Sequence, residues 1–187
     1  MRRNFLLPLM GVALLAGVLT SAQTAPAREA TLMPLPSLPT PNAFLPAATD
    51  SPCGAAETPA CLDLHLSQRQ VTLFNNGVKV KSYPVAVGKA GWETPTGQFK
   101  VEHKYRNPAW KNPFDGSIIP GGDPYNPLGQ RWMGFWTDGK NWAGFHGTPN
   151  RESIGRAASH GCVRMYGEDI AELFDQVAVG STVIVRR

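Results

Sequence analysis

The sequence predicts a mostly β domain with one clear helix near its C-terminal end. Three observations carry this. Short apolar–polar alternations recur between residues 61 and 146, at the period of half-buried strands. Nineteen glycines and 17 prolines among 187 residues punctuate the chain as turns do, not as a helical bundle would be punctuated. Helical spacing is clear in residues 168–177, where Ile170, Leu173, Phe174 and Val177 share one face.

Taken in order, Leu62, Leu64 and Leu66 alternate with Asp63, His65 and Ser67, which predicts a half-buried first strand. Residues 70–74 form a second. Asn75-Asn76-Gly77 is a hairpin turn, because Asn and Gly tolerate positive φ. Residues 78–87 return as a third strand with Val78, Val80, Val85 and Val87 as its apolar positions. Gly88-Lys89-Ala90-Gly91 and Thr94-Pro95-Thr96-Gly97 are loops, and residues 99–102 a short strand. Residues 107–129 contain five prolines and are expected to be a long loop. An excursion of that length is commonly functional or disordered, and Trp110, Phe114 and Tyr125 favour function. Strands at 131–136 and 142–146 flank an Asp138-Gly139 turn, and residues 182–185 close the domain as a buried strand.

The folded part, residues 61–187, follows two segments of different composition. Residues 1–22 have the three-part form of an export signal: Arg2-Arg3, an apolar run over 5–19, then Thr20, Ser21 and Ala22, with Ala25 and Ala27 close behind. The alternative is an uncleaved anchor, but the apolar run falls short of the ~20 residues that span a bilayer. Cleavage leaves no stable membrane insertion and sets the protein in the periplasm or cell wall. Residues 23–60 are rich in Pro and Ala and form an extended tether. There are 18 basic and 14 acidic residues, and without Arg2 and Arg3 the balance is 16 against 14. No basic run stands out beyond Arg186-Arg187, so nucleic acid is not an expected partner.

Three cysteines in an exported chain leave one thiol over if a pair forms. Cys53 and Cys61 lie close together, whereas Cys162 is distant. Spacing favours a Cys53–Cys61 disulfide, with pairing of Cys162 to either as the alternative.

A reactive thiol needs a base and donors for a developing oxyanion. Two runs supply such groups: Phe145-His146-Gly147-Thr148 and Ser159-His160-Gly161-Cys162-Val163-Arg164. Gly161 lets the backbone approach a substrate closely, and N–H groups at Gly161 and Cys162 are candidate oxyanion donors. In an extended segment Arg164 shares a face with Cys162, where a guanidinium can hold a carboxylate. Two other readings stand beside this one. His146, His160 and Cys162, with His103 or His65, are zinc-ligand types, although their spacing is not a usual one. His65 and His103, on strands, otherwise read as solvent-facing or structural. The tryptophans at 92, 110, 132, 136 and 142 suit core and cleft wall, or the stacking platform of a non-catalytic glycan-binding module.

These runs, in this order, resemble the L,D-transpeptidase catalytic domain (YkuD) over roughly residues 61–185. The similarity extends to Tyr83-Pro84-Val85-Ala86-Val87-Gly88, Thr94-Pro95-Thr96-Gly97-Gln98-Phe99 and Asn126-Pro127-Leu128-Gly129. The resemblance implies a barrel-like β-sandwich. It implies that Cys162 is the acylated nucleophile, His146 its proton acceptor, and the Gly147 carbonyl the group that orients His146. Ser159, His160 and Arg164 would shape the substrate pocket. It implies acyl transfer between peptidoglycan stem peptides, by a monomer and without cofactor or metal. Hydrolysis of the acyl-enzyme, an L,D-carboxypeptidase reaction, is the alternative outcome.

Overall fold

The computed structural model describes Cys53 and residues 60–187. The export signal at 1–22 lies outside the described residues, as does all of the 23–60 tether except Cys53 and Ala60. Among the described residues no helix is long and apolar enough to cross a membrane.

Among the described residues thirteen strands and one α-helix follow in order. They begin with β1 (Ala60–His65), β2 (Gln70–Asn75), β3 (Val78–Pro84), β4 (Val87–Gly88), β5 (Gly97–Lys100) and β6 (His103–Arg106). The long excursion holds β7 (Trp110–Lys111) and β8 (Ile118–Ile119). Then come β9 (Arg131–Thr137), β10 (Trp142–Gly147), β11 (Ala157–Ser159), β12 (Val163–Met165), α1 (Gly167–Gln176) and β13 (Thr182–Arg186). One sheet has the order β3-β2-β1-β13-β5 and a second β12-β10-β9-β6; β11–β4 and β7–β8 are two-stranded. The expected mostly β, sandwich-like architecture is observed: among the described residues the two larger sheets stay open, without closing into a barrel, and pack on each other.

The core lies between them. Leu62, Leu64, Val71, Leu73, Val183 and Val185 meet Met133, Phe135, Phe145, Val163 and Met165 in one buried cluster. Phe99 of β5 touches Phe135 of β9 with ring centres 5.6 Å apart, and Phe135 touches Phe145 at 5.2 Å. The helix adds Ile170, Leu173 and Phe174 to the same cluster. Burial of each such side chain stabilises the fold by about 1.5–3 kcal/mol. Lys104 of β6 donates to the Phe174 and Val177 carbonyls, satisfying the last turn of a helix that has no basic residue of its own there.

The hairpin turn is as predicted: Asn76 and Gly77 have φ of 48° and 75°, and Asn75 pairs with Val78. Two strand expectations are corrected. β1 is buried on both faces, not half-buried, because it is flanked by β2 and β13 and covered behind. Cys61 packs there with Cys53, Phe74 and Ile184, and Asp63 accepts two hydrogen bonds from Arg186 at 2.9 and 2.8 Å. Val78 and Val80 are 53% and 48% exposed, so they are not the buried face of the third strand. The register slips between Leu73 and Phe74, and the chain leaves the sheet after Pro84, so that Val87 pairs instead with Ala157 of β11.

The 107–129 excursion is held at its base by Asn126, which is fully buried. Its side chain donates to the carbonyls of Pro108 and Pro120 and accepts from the Leu128 N–H. Gly129, at φ 62°, passes so close to the end of β10 that a Cβ there would stand 3.0 Å from Gly147 Cα.

Candidate active site

The second sheet aligns the candidate groups in rows. Tyr105 pairs with Trp132, Trp132 with His146, and His146 with Arg164, so one row crosses all four strands. In the next row His103 pairs with Gly134 and Gly134 with Gly144. Cys162, just before β12, meets the Gly144 N–H. Residues paired across a sheet project from the same face, so Cys162 and His146 are diagonal neighbours on one face.

Cys162 is half-buried and is the free thiol, since Cys53 and Cys61 are joined in a disulfide. Its Sγ donates to the Trp142 carbonyl at 3.4 Å, and among the described residues no hydrogen bond joins it to His146. Burial pushes the thiol up from its ordinary value, while the Gly144 N–H and the Arg164 charge pull it down less strongly. His146 is buried, and its Nδ1 donates to the Gly147 carbonyl at 2.6 Å. Nε2 is thereby left as the atom available to take a proton. Burial lowers its pKa to about 4; the Gly147 carbonyl opposes this, Arg164 adds to it, and the Pro127 carbonyl opposes it again. Burial thus favours the neutral form of both thiol and imidazole.

The turn into Cys162 is built by Gly161 and Ser159. Gly161 has φ 105°, a conformation that strains any residue with a Cβ. Ser159 is buried; its hydroxyl donates to the Cys162 carbonyl and accepts from the Gly161 N–H at 3.3 Å. Its polar atoms are thus committed to the turn. His160 is exposed and meets Trp92 edge-on at 4.9 Å, with Phe114 of the excursion at 6.4 Å. A cleft of about 140 Å³ beside Gly161 is lined by Trp92, Trp136, Asn141, Trp142 and His160. Arg164 is half-buried and makes no salt bridge among the described residues, whose four ion pairs lie elsewhere. The zinc reading finds no support in the geometry: among the described residues no three His, Cys, Asp or Glu side chains converge as a metal site.

Sequence reasoning missed the groups beside the pair on this same face. The Trp132 ring lies against His146, with centres 5.9 Å apart and planes 28° apart. Trp132 Nε1 donates to His103 Nε2 at 2.8 Å. Opposed glycines make room for both rings: a Cβ on Gly134 would stand 2.4 Å from His103, and one on Gly144 2.8 Å from Trp132. The glycines within both predicted strands were the available signal, since glycine inside a strand often marks a close approach.

The sequence profile described as the L,D-transpeptidase catalytic domain, YkuD, matches residues 60–185, and the chain belongs to this family. The Bacillus subtilis protein YqjB, which carries an L,D-transpeptidase name, is 42% identical over 106 residues, covering 55% of this chain and 57% of YqjB. YkuD of the same organism, named likewise, is 36% identical over 129 residues, covering 69% of this chain and 67% of that one. The chain therefore spans little more than half the length of YqjB. An L,D-transpeptidase from Mycobacterium tuberculosis shares the fold, with a TM-score of 0.56, 21% identity, and coverage of 69% of this chain and 58% of that one. An L,D-transpeptidase of Enterococcus faecium superposes similarly, with a TM-score of 0.56, 22% identity, and coverage of 69% and 50%.

Proposed function

We propose that the protein is an exported peptidoglycan L,D-transpeptidase in which Cys162 is acylated by a tetrapeptide stem. The observation that carries this is the shared sheet face of Cys162, His146 and Arg164, which makes no salt bridge among the described residues, in a chain of this family.

The reaction proceeds as follows. The Cys162 side chain turns from the Trp142 carbonyl toward His146. Its proton passes to Nε2 as Sγ attacks the carbonyl that follows the third, diamino-acid residue of the stem. The Cys162 N–H receives the oxyanion, with Gly161 contributing less because its N–H already serves Ser159. The C–N bond breaks, the terminal D-alanine amine takes the proton from His146, and a thioester remains. An amine of a second stem then attacks, passing its proton through His146 to the departing sulfur. Arg164 holds a substrate carboxylate, His160 lines the cleft, and Ser159 positions the turn. The Gly147 carbonyl keeps His146 in the tautomer this requires. No metal or organic cofactor takes part.

The wall setting rests on the signal pattern of residues 1–22 and the tether after it. The test is incubation with a purified tetrapeptide stem and mass analysis of the products. A crosslinked dimer with release of D-alanine is expected. Tripeptide alone identifies an L,D-carboxypeptidase, and unchanged stem that still binds identifies a wall-binding module.

A further inference from the structure

We infer that His103 is a positioning residue for the pair Cys162–His146, acting through the rings of Trp132 and Trp142. The inference rests on the proposed roles of Cys162 and His146.

His103 is half-buried on β6, two strands away from His146, and touches neither candidate group. It contacts a neighbour of each. Its Nε2 accepts from Trp132 Nε1 at 2.8 Å, and Trp132 stacks on His146. Its ring also meets that of Trp142 edge-on, 4.8 Å between centres, and the Trp142 carbonyl holds the Cys162 thiol. Tyr105 packs beside His103 at 5.1 Å.

The physical need for such a support is visible in the sheet. The Gly147 carbonyl fixes one atom of the imidazole, and the adjoining Trp132 face sets the plane of the ring. Trp132 lies over the gap at Gly134 and Gly144, where no Cβ limits its tilt. The hydrogen bond to His103 supplies that limit. It is a directional bond to a largely buried indole N–H, which has no other partner among the described residues. A hydrocarbon at position 103 fills the space but leaves the N–H unsatisfied, and the Trp132 ring turns to find another acceptor. A small misplacement of a base is enough to slow proton transfer substantially.

Alkylation of Cys162 by iodoacetamide at neutral pH, followed by intact mass, reads the pair without any stem peptide. His103→Phe is expected to slow alkylation at least tenfold and to shift the Trp132 indole N–H resonance. His103→Gln, whose side-chain oxygen can take the place of Nε2 as acceptor, is expected to restore the rate to within about threefold. Affinity for a tetrapeptide stem, measured in the Cys162→Ala background, should stay within twofold. If His103→Phe does not fold, Trp132→Phe removes the same bond from the donor side. It should slow alkylation as well, and His103→Ala, which slows alkylation on its own, should add nothing in the Trp132→Phe background. Wild-type alkylation in His103→Phe, failure of Gln to restore it, or additive effects in the double variant would overturn the inference. Alkylation that depends on His103 in a protein that leaves stems unchanged would uphold it while rejecting the transpeptidase reading.

Discussion

Gly134 and Gly144 oppose each other on β9 and β10, and the rings of His103 and Trp132 occupy the space their absent side chains leave. A Cβ at Gly144 would stand 2.6 Å from the Met133 carbonyl oxygen as well as 2.8 Å from the Trp132 ring. Since one of these is backbone, the strain cannot be relieved by a rotamer change alone. Gly144→Ala is expected to destabilise the protein by about 1–3 kcal/mol, measured by urea unfolding. Gly167→Ala, where a Cβ meets nothing within 4 Å, should be neutral or mildly stabilising.

The buried His146 makes stability depend on pH in a defined direction. Its folded pKa of about 4 lies below the ordinary 6.5, so between these values the unfolded chain binds more protons. The contribution is complete above 6.5 and is lost as pH falls toward about 4; its size is about 3 kcal/mol. The difference in unfolding free energy between wild type and His146→Asn should therefore shrink or reverse sign between pH 7 and about 4.5. Equal pH dependence in the two proteins would contradict the buried, neutral imidazole.

The same ionisation governs activity. A rise of activity with pH reports the Cys162–His146 pair. The structure moves that rise down to the region of about 4, and the raised thiol sets the alkaline limb above the ordinary thiol range. The kcat/KM profile for a stem peptide should therefore show its acid limb below the ordinary imidazole range, nearer 4 than 6.5. An inflection near 6.5 would show that His146 is more hydrated than its burial implies.

Arg164 stands beside the thiol with no carboxylate partner among the described residues. If it holds a substrate carboxylate, Arg164→Ala should lower kcat/KM roughly 10–100-fold, the worth of a charged hydrogen bond. Arg164→Lys should recover only part of this, because an ammonium lacks the bidentate fork. Steady-state kinetics with stem peptides of free and amidated C-terminus separate a carboxylate contact from a general effect of charge.

The disulfide leaves a single accessible thiol. Titration of the unfolded, non-reduced protein should count one thiol, and the reduced protein three. Replacing Cys53 and Cys61 by Ala should lower the unfolding free energy by about 2 kcal/mol, as suits so short a loop. The rate of Cys162 alkylation should not change, since the pair packs with Phe74 and Ile184 on the first sheet.

Local signals in the sequence were enough for the Asn76-Gly77 hairpin, the β9–β10 pair, α1 and β13, because each needs only turn chemistry or a sustained period. The short strands β4, β7, β8, β11 and β12 carry two or three residues each, too few to show a period, and the partners of β4, β11 and β12 are distant in the chain. Val78 and Val80 are exposed because both faces of this edge strand are open over residues 78–81, which composition does not reveal.

By itself the sequence determined the residue types of the site, the family to which they belong, and that one of three cysteines is left over if a pair forms; the structure decided that the spare thiol is Cys162. Tertiary structure decided what those residues face. Register across β6, β9, β10 and β12 set His146 between Trp132 and Arg164, and joined His103 to Trp132 across 29 positions. Burial on the face of the second sheet turned away from the core then favours the neutral form of each group, since desolvation disfavours both imidazolium and thiolate. Such effects depend on what packs against a group in three dimensions, which residue order along one strand does not contain.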